Sequence, residues 1–319
     1  MFGLAALLLL LSPTASAQLG CWVGMGSIQF GNVNDVAGSD TTTTGSMSLS
    51  CSGASTPFVR VCIALGAPVD SSWDPRYLVG QESGSRLAYN IYKNASKTQI
   101  WGSAYSTTGS PLAVDLHVSW SSGNTQIPYY ARVPAQEDAV SDTYNATFRY
   151  LSDASVRAVG YSFNPPECSS SMPIVSSFEF GVWARVDNNC LITASSLDFG
   201  DNGIELERRG SDGVSTINVR CTSGANYSVA LDAGTGAGAT VAERRMTRDD
   251  GPEFLLYGLY LDSARTRPWG DGSAGTDVLS GTGQGMFSGN AHSVYGRVQP
   301  QPLPPSGRYR DRITATITF

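Results

Sequence analysis

The sequence predicts an all-β protein built as two tandem domains. Three observations lead there. Glycine is frequent (35 of 319 residues) and charged residues are sparse at 15%, a balance that favours short strands and tight turns over long amphipathic helices. No long segment repeats apolar residues at i, i+3, i+4 and i+7, whereas period-two alternation recurs. The chain also repeats itself, and its length suits two domains.

At the N-terminus, "MFGLAALLLLLSPTASAQ" reads as a secretory signal over residues 1–17. An apolar run from Phe2 to Leu11 is too short to span a bilayer. Pro13 breaks it, and Ala15-Ser16-Ala17 supplies the small-x-small pattern of a cleavage site. No other apolar stretch is long enough to cross a membrane as a helix, so the expected mature chain is exported and soluble. A formal charge of −6 argues against a nucleic-acid surface.

The repeat is carried by ordered pairs of segments. "CWVGMGSIQFGNV" at Cys21 matches "CLITASSLDFGDN" at Cys190, and Cys51 in "LSCSGAS" matches Cys221 in "VRCTSGA". "LAYNIYKNASKTQIWG" around Tyr89 matches "LLYGLYLDSARTRPWG" around Tyr257. "YYARVPAQEDAVSDTY" ending at Tyr144 matches "VYGRVQPQPLPPSGRY" ending at Tyr309. The six cysteines, in an exported chain, read as disulfides. The repeat pairs Cys21 with Cys51 and Cys190 with Cys221, and elimination pairs Cys62 with Cys168. No Cys-x-x-Cys occurs, so neither a zinc site nor a redox motif is expected.

The ordered set resembles the spore coat protein U domain: Cys, Phe-Gly, Cys, Y-x-L/I-Y with a following W-G, V-Y-G-R-V, and a terminal G-x-Y-x-D-x-I-x-A-x-I-x-F. That domain also builds the subunits of archaic, Csu-type chaperone–usher pili. The second copy fits throughout, while the first has "YYARVP" for V-Y-G-R-V and no Asp two residues after Tyr144. The resemblance implies two tandem immunoglobulin-like β-sandwich (pilin-type) domains, the second lacking its final strand. The expected divisions are residues 18–176 for an N-terminal adhesin domain, 177–189 for a linker serving as donor strand in cis, and 190–319 for a C-terminal pilin domain.

Two alternating segments carry the functional expectation. In "RITATITF", Ile313, Ala315, Ile317 and Phe319 share one face of a strand with no partner after it. In "SSFEFGVWARVDNN", Phe178, Phe180, Val182, Ala184 and Val186 share a face. From alternation alone this second segment fits equally well as the first strand of domain two. The resemblance implies instead that it completes domain one, while domain two awaits the strand of another subunit. Five such side chains at ~1.5–3 kcal/mol each contribute roughly 8–15 kcal/mol before ordering costs. That rivals the whole net stability of a domain, ~5–15 kcal/mol. After cleavage at Ala17 only Gln18-Leu19-Gly20 precede Cys21, too short to donate, which places the subunit at a fibre tip. The implied partners are a periplasmic chaperone lending a strand by β-augmentation, an outer-membrane usher, the donor strand of the next pilin, and an abiotic or host surface.

Contact residues for that surface are sought among loop aromatics of domain one without a twin in domain two: Trp73, Tyr77, Tyr161 and Phe163. Trp101 has a twin in Trp269 and is expected in the core. "TYNATFRY" is taken as the last regular strand of domain one, so that "LSDASVRAVGYSFNPPECSSS" becomes a connecting loop, with Cys168 bracing it to Cys62. Catalysis finds little support, and nothing singles out a pair of carboxylates. There are two histidines, His117 and His292, with no His-Glu-x-x-His and no Gly-x-Ser-x-Gly. No cofactor or metal is expected, and Asp271 and Asp277 are too weak a pattern for calcium. Two other readings remain at this stage: a structural coat or matrix protein, and a sugar-binding lectin module.

Overall fold

The computed structural model describes residues 18–33, 38–106, 109–149 and 151–319. The signal segment 1–17 lies outside the described residues. Within them the chain forms two β-sandwiches, and no helix is long and apolar enough to cross a membrane.

The first sandwich holds β1 (Gly20–Gly24), β2 (Ile28–Asn32), β3 (Thr41–Ser52), β4 (Phe58–Leu65), β5 (Arg76–Gly80) and β6 (Arg86–Tyr92). It continues with β7 (Leu112–His117), β8 (Ser122–Val133), β9 (Asp142–Phe148), β10 (Ala154–Tyr161), β11 (Ile174–Ser177) and β12 (Phe180–Val186). One sheet runs β1-β3-β8-β6-β5-β9-β12-β2 and the other β11-β10-β4-β7. Alternate residues of both sheets, among them Met47, Leu49, Val59, Val61, Ile63 and Tyr89, meet in one core.

The second sandwich holds β13 (Cys190–Ala194), the single-turn helix α1 (Glu205–Arg209), β14 (Ser211–Cys221), β15 (Asn226–Leu231) and β16 (Arg244–Arg248). Then follow β17 (Phe254–Tyr260), β18 (Leu279–Thr282), β19 (Asn290–Val298), β20 (Tyr309–Arg310) and β21 (Ala315–Thr318). Its sheets run β13-β14-β19-β17-β16-β20 and β18-β15-β21. The strand orders repeat those of the first sandwich, except that among the described residues no strand stands beyond β20, where β12 and β2 stand beyond β9, and none matches β11 at the edge of the other sheet.

Matched interactions fix the correspondence residue by residue. Trp101 Nε1–H donates to the Ile63 carbonyl at 2.8 Å, and Trp269 Nε1–H to that of Val229 at 2.9 Å. Both rings are fully buried. Tyr144 donates its hydroxyl to the carbonyl four residues back (Val140, 2.7 Å), as Tyr309 does to Pro305 (2.7 Å). Disulfides Cys21–Cys51 and Cys190–Cys221 join neighbouring strands with the same Cα–Cα distance, 4.1 Å. Two buried arginines complete the set. Arg76 donates to the carbonyls of Gly66, Leu65 and Trp101, and Arg244 to those of Asp232, Leu231 and Trp269. Burial pulls both guanidinium groups below the ordinary arginine range, opposed by nearby acidic and phenolic groups.

The structure corrects one element. The stretch after Phe148 is not a connecting loop, because β10 lies inside it, paired to β4 from Ala154↔Leu65 to Tyr161↔Phe58. Ala154 through Ala158 are all buried, so this strand shows no in–out alternation in the sequence. It is the counterpart of β21, which pairs with β15 from Leu231↔Ala315 to Ser228↔Thr318.

Candidate functional site

The segment after β11 crosses from one sheet of the first sandwich to the other. Phe178 and Glu179 make the crossing, and β12 then runs between two strands. It is antiparallel to β9, from Phe180↔Phe148 to Val186↔Asp142, and parallel to β2, with Val182↔Ile28. Phe178, Phe180, Val182, Ala184 and Val186 are all buried, whereas Trp183 and Arg185 face outward. The reading of this segment as the first strand of domain two is therefore excluded by its pairing. That role falls to β13, paired to β14 from Cys190↔Cys221 onward.

In the second sandwich the corresponding space is a groove of about 540 Å³, open to solvent. Leu231, Met246, Tyr257 and Leu259 lie at its base, with Leu197 and Phe199 on one flank and Tyr309, Ile313 and Ala315 on the other. Three counterparts beside this space differ in burial. Tyr144, Phe148 and Ile28 are fully buried, while Tyr309, Ile313 and Leu197 are half-buried. Ile313, Ala315 and Ile317 pack against the core from its margin, and Phe319 is exposed. At the groove's centre the Tyr257 hydroxyl donates to Asp311 Oδ2 at 2.8 Å. Burial first, then this bond and the carboxylate charge, push the Tyr257 phenol far above its ordinary range.

The two sandwiches meet end to end. Val140 bridges to Ser223, and Gly285 lies against the Glu137 carbonyl, too close for any Cβ. The disulfide end of domain two, with its β18–β19 turn, therefore abuts the first domain where β9 begins. Among the described residues the equivalent end of domain one meets no second domain, and it carries aromatic rings. Trp120, in the two-residue turn joining β7 to β8, is completely exposed, and Phe163 beyond β10 is 92% exposed. Both turn residues, Trp120 (φ 54°) and Ser121 (φ 67°), occupy the left-handed region, at a cost of roughly 1 kcal/mol each. Tyr161 stacks on Phe58 at 5.5 Å and donates to Asp115 Oδ1 at 2.7 Å.

Of the four aromatics sought from sequence, Tyr161 and Phe163 stand at this pole. Trp73 and Tyr77 do not. They follow β4, whose length carries the chain about 23 Å from Phe58. Both are half-buried, and the Tyr77 ring lies 5.6 Å from the Arg86 guanidinium carbon. Trp120 escaped sequence reasoning because a lone Trp in "VSWSSGN" reads as turn filler. Its signal was a large apolar residue where a hairpin wants Gly or Asn. The Cys62–Cys168 disulfide (Cα–Cα 5.7 Å) ties the Phe163 segment to β4. Among the described residues no three His, Cys, Asp or Glu side chains gather as a metal site.

The fold, the paired disulfides and the corner tyrosines define a tandem pilin-type sandwich. The model of the Spore Coat Protein U domain matches residues 7–150 and 176–316, and the chain belongs to that family. Protein U of Myxococcus xanthus is 31% identical over 173 residues, 50% of this chain and 90% of that protein. Among solved structures, the CsuC–CsuE chaperone–tip adhesion subunit pre-assembly complex, from archaic chaperone-usher Csu pili of Acinetobacter baumannii, contains a chain with the same fold. The TM-score is 0.55 at 17% identity, over 94% of this chain and 100% of that one.

Proposed function

We propose that this protein is an exported pilus-tip adhesin, assembled by donor-strand exchange. Domain one is the attachment module, closed in cis by β12. Domain two is the joint. Its groove takes the strand of a periplasmic chaperone during transit, and at the outer-membrane usher exchanges it for the donor strand of the next pilin. The observation that carries this reading is the contrast between two copies of one fold. A strand fills the space beside β9, and none among the described residues fills the space beside β20. The half-buried apolar flanks of that space, with an unpaired sheet edge, suit an added strand. The tip subunit named in the Csu complex, which shares the fold, supports the placement.

The aromatic pole supplies the contact surface. Trp120 and Phe163 project without a pocket around them, which suits adsorption to apolar, abiotic material and attachment in biofilms. Gold-labelled antibody against domain one tests the placement: one label per fibre end is expected, and labelling along the shaft contradicts it. Binding of cells to polystyrene tests the surface. Detergent, but not soluble sugars, is expected to abolish it; inhibition by a sugar would point to a lectin instead.

A further inference from the structure

The two grooves differ in charge at one inward-facing position. Ala146 and Asp311 are equivalent, each two residues past its corner tyrosine. The neighbouring pairs Val79↔Asn145 and Thr247↔Arg310 confirm the register. In domain one Ala146 packs on the core and pairs directly with Val182 of β12. The nearby Tyr89 is wholly buried, and its hydroxyl has no hydrogen-bond partner among the described residues. In domain two Tyr257, the counterpart of Tyr89, bonds Asp311. The same carboxylate accepts from Thr235 N–H (2.7 Å), Thr235 Oγ1–H (2.9 Å) and Arg312 N–H (2.7 Å). These donors are all neutral and orient the charge; the buried Arg244 guanidinium lies near enough to feel it but makes no hydrogen bond to it.

We infer that the second-domain groove selects its partner strand at the position facing Asp311, taking there a small or hydrogen-bond-donating side chain in place of the valine of β12. This rests on the reading of the groove as a strand acceptor. A strand laid in the β12 register would close water off from the Asp311 carboxylate. Valine at that point sets two methyl groups against a charge and returns nothing for its lost hydration. Serine or asparagine restores a hydrogen bond, and glycine leaves room for water. The flanking positions remain apolar, matching Ile313 and Ala315. The groove therefore favours the strand of a different subunit over one with the sequence of β12, which limits pairing between copies of this chain.

Calorimetric titration of the full chain with synthetic peptides spanning residues 178–187 tests this, since domain one already holds its strand. The peptide carrying Val182→Ser or Val182→Asn is expected to bind about tenfold more tightly than the unaltered peptide. In the Asp311→Ala chain that preference should vanish or reverse; the comparison on the unaltered chain stands even if this variant folds poorly. Equal affinity of all three peptides for the unaltered chain would overturn the inference while leaving the acceptor reading intact. Binding by none of them would overturn the acceptor reading, and the inference with it.

Discussion

Phe180 lies flat on Phe148, ring centroids 4.5 Å apart and planes 8° from parallel. The residue equivalent to Phe148 in domain two is Ile313, which borders open groove. Among the described residues one sequence thus contains the same sandwich with and without a strand at this place, and the stacked pair marks where the strand is present.

Truncating that pair should damage domain one alone. Phe180→Ala is expected to destabilise it by about 3–5 kcal/mol, as for other buried phenylalanines. Denaturant unfolding should show the first-domain transition moving to lower midpoint, while that of domain two stays. Equal shifts of both would contradict the assignment of β12 to domain one.

Trp120 offers a test in which stability and function move in opposite directions. Trp120→Gly relieves a left-handed backbone and removes no packing, so stability should rise by roughly 0.5–1 kcal/mol. Attachment to polystyrene should fall, and more so with Phe163→Ala added. Undiminished attachment of the double variant would remove these rings from the contact surface.

Arg76 ties three carbonyls at the seam between the sheets. Arg76→Leu leaves them buried without donors and should cost about 2–4 kcal/mol. Lysine cannot reproduce the planar fork, so Arg76→Lys should recover less than half of the loss. Thermal midpoints of the two variants check this.

Asp212 should contribute to the acid limb of stability. Arg297 bonds it at 2.7 and 2.8 Å, and with Arg265 holds its carboxyl below the usual range despite some burial. A lowered folded-state value stabilises the fold above the unfolded pKa, near 4, and that contribution is lost as pH falls through the folded value. Asp212→Asn should therefore flatten this part of the pH–stability curve. The carboxylate is 44% exposed, so salt screening keeps the effect below about 1 kcal/mol.

Much of this architecture was legible because the chain repeats. The Trp101/Trp269 twins marked core residues, and the alternation of Phe178 to Val186 marked one buried face. What stayed hidden did so for physical reasons. β10 is buried on both sides, so Val156 and its neighbours carry no period-two signal. Arg76 and Arg244 are core residues of a type ordinarily found at the surface; only their matching places in the two copies hinted at it. Trp120 is exposed where pattern expects polarity, so no periodicity of a buried face marks it.

Thermal unfolding of the full chain, with and without the 178–187 peptide carrying Val182→Ser, tests the central claim most directly. Two transitions are predicted without peptide, the lower one belonging to domain two. Saturating peptide should raise the lower transition by several degrees and leave the upper one in place. If neither transition moves, the groove beside β20 does not accept a strand, and the account of domain two as an assembly joint is wrong.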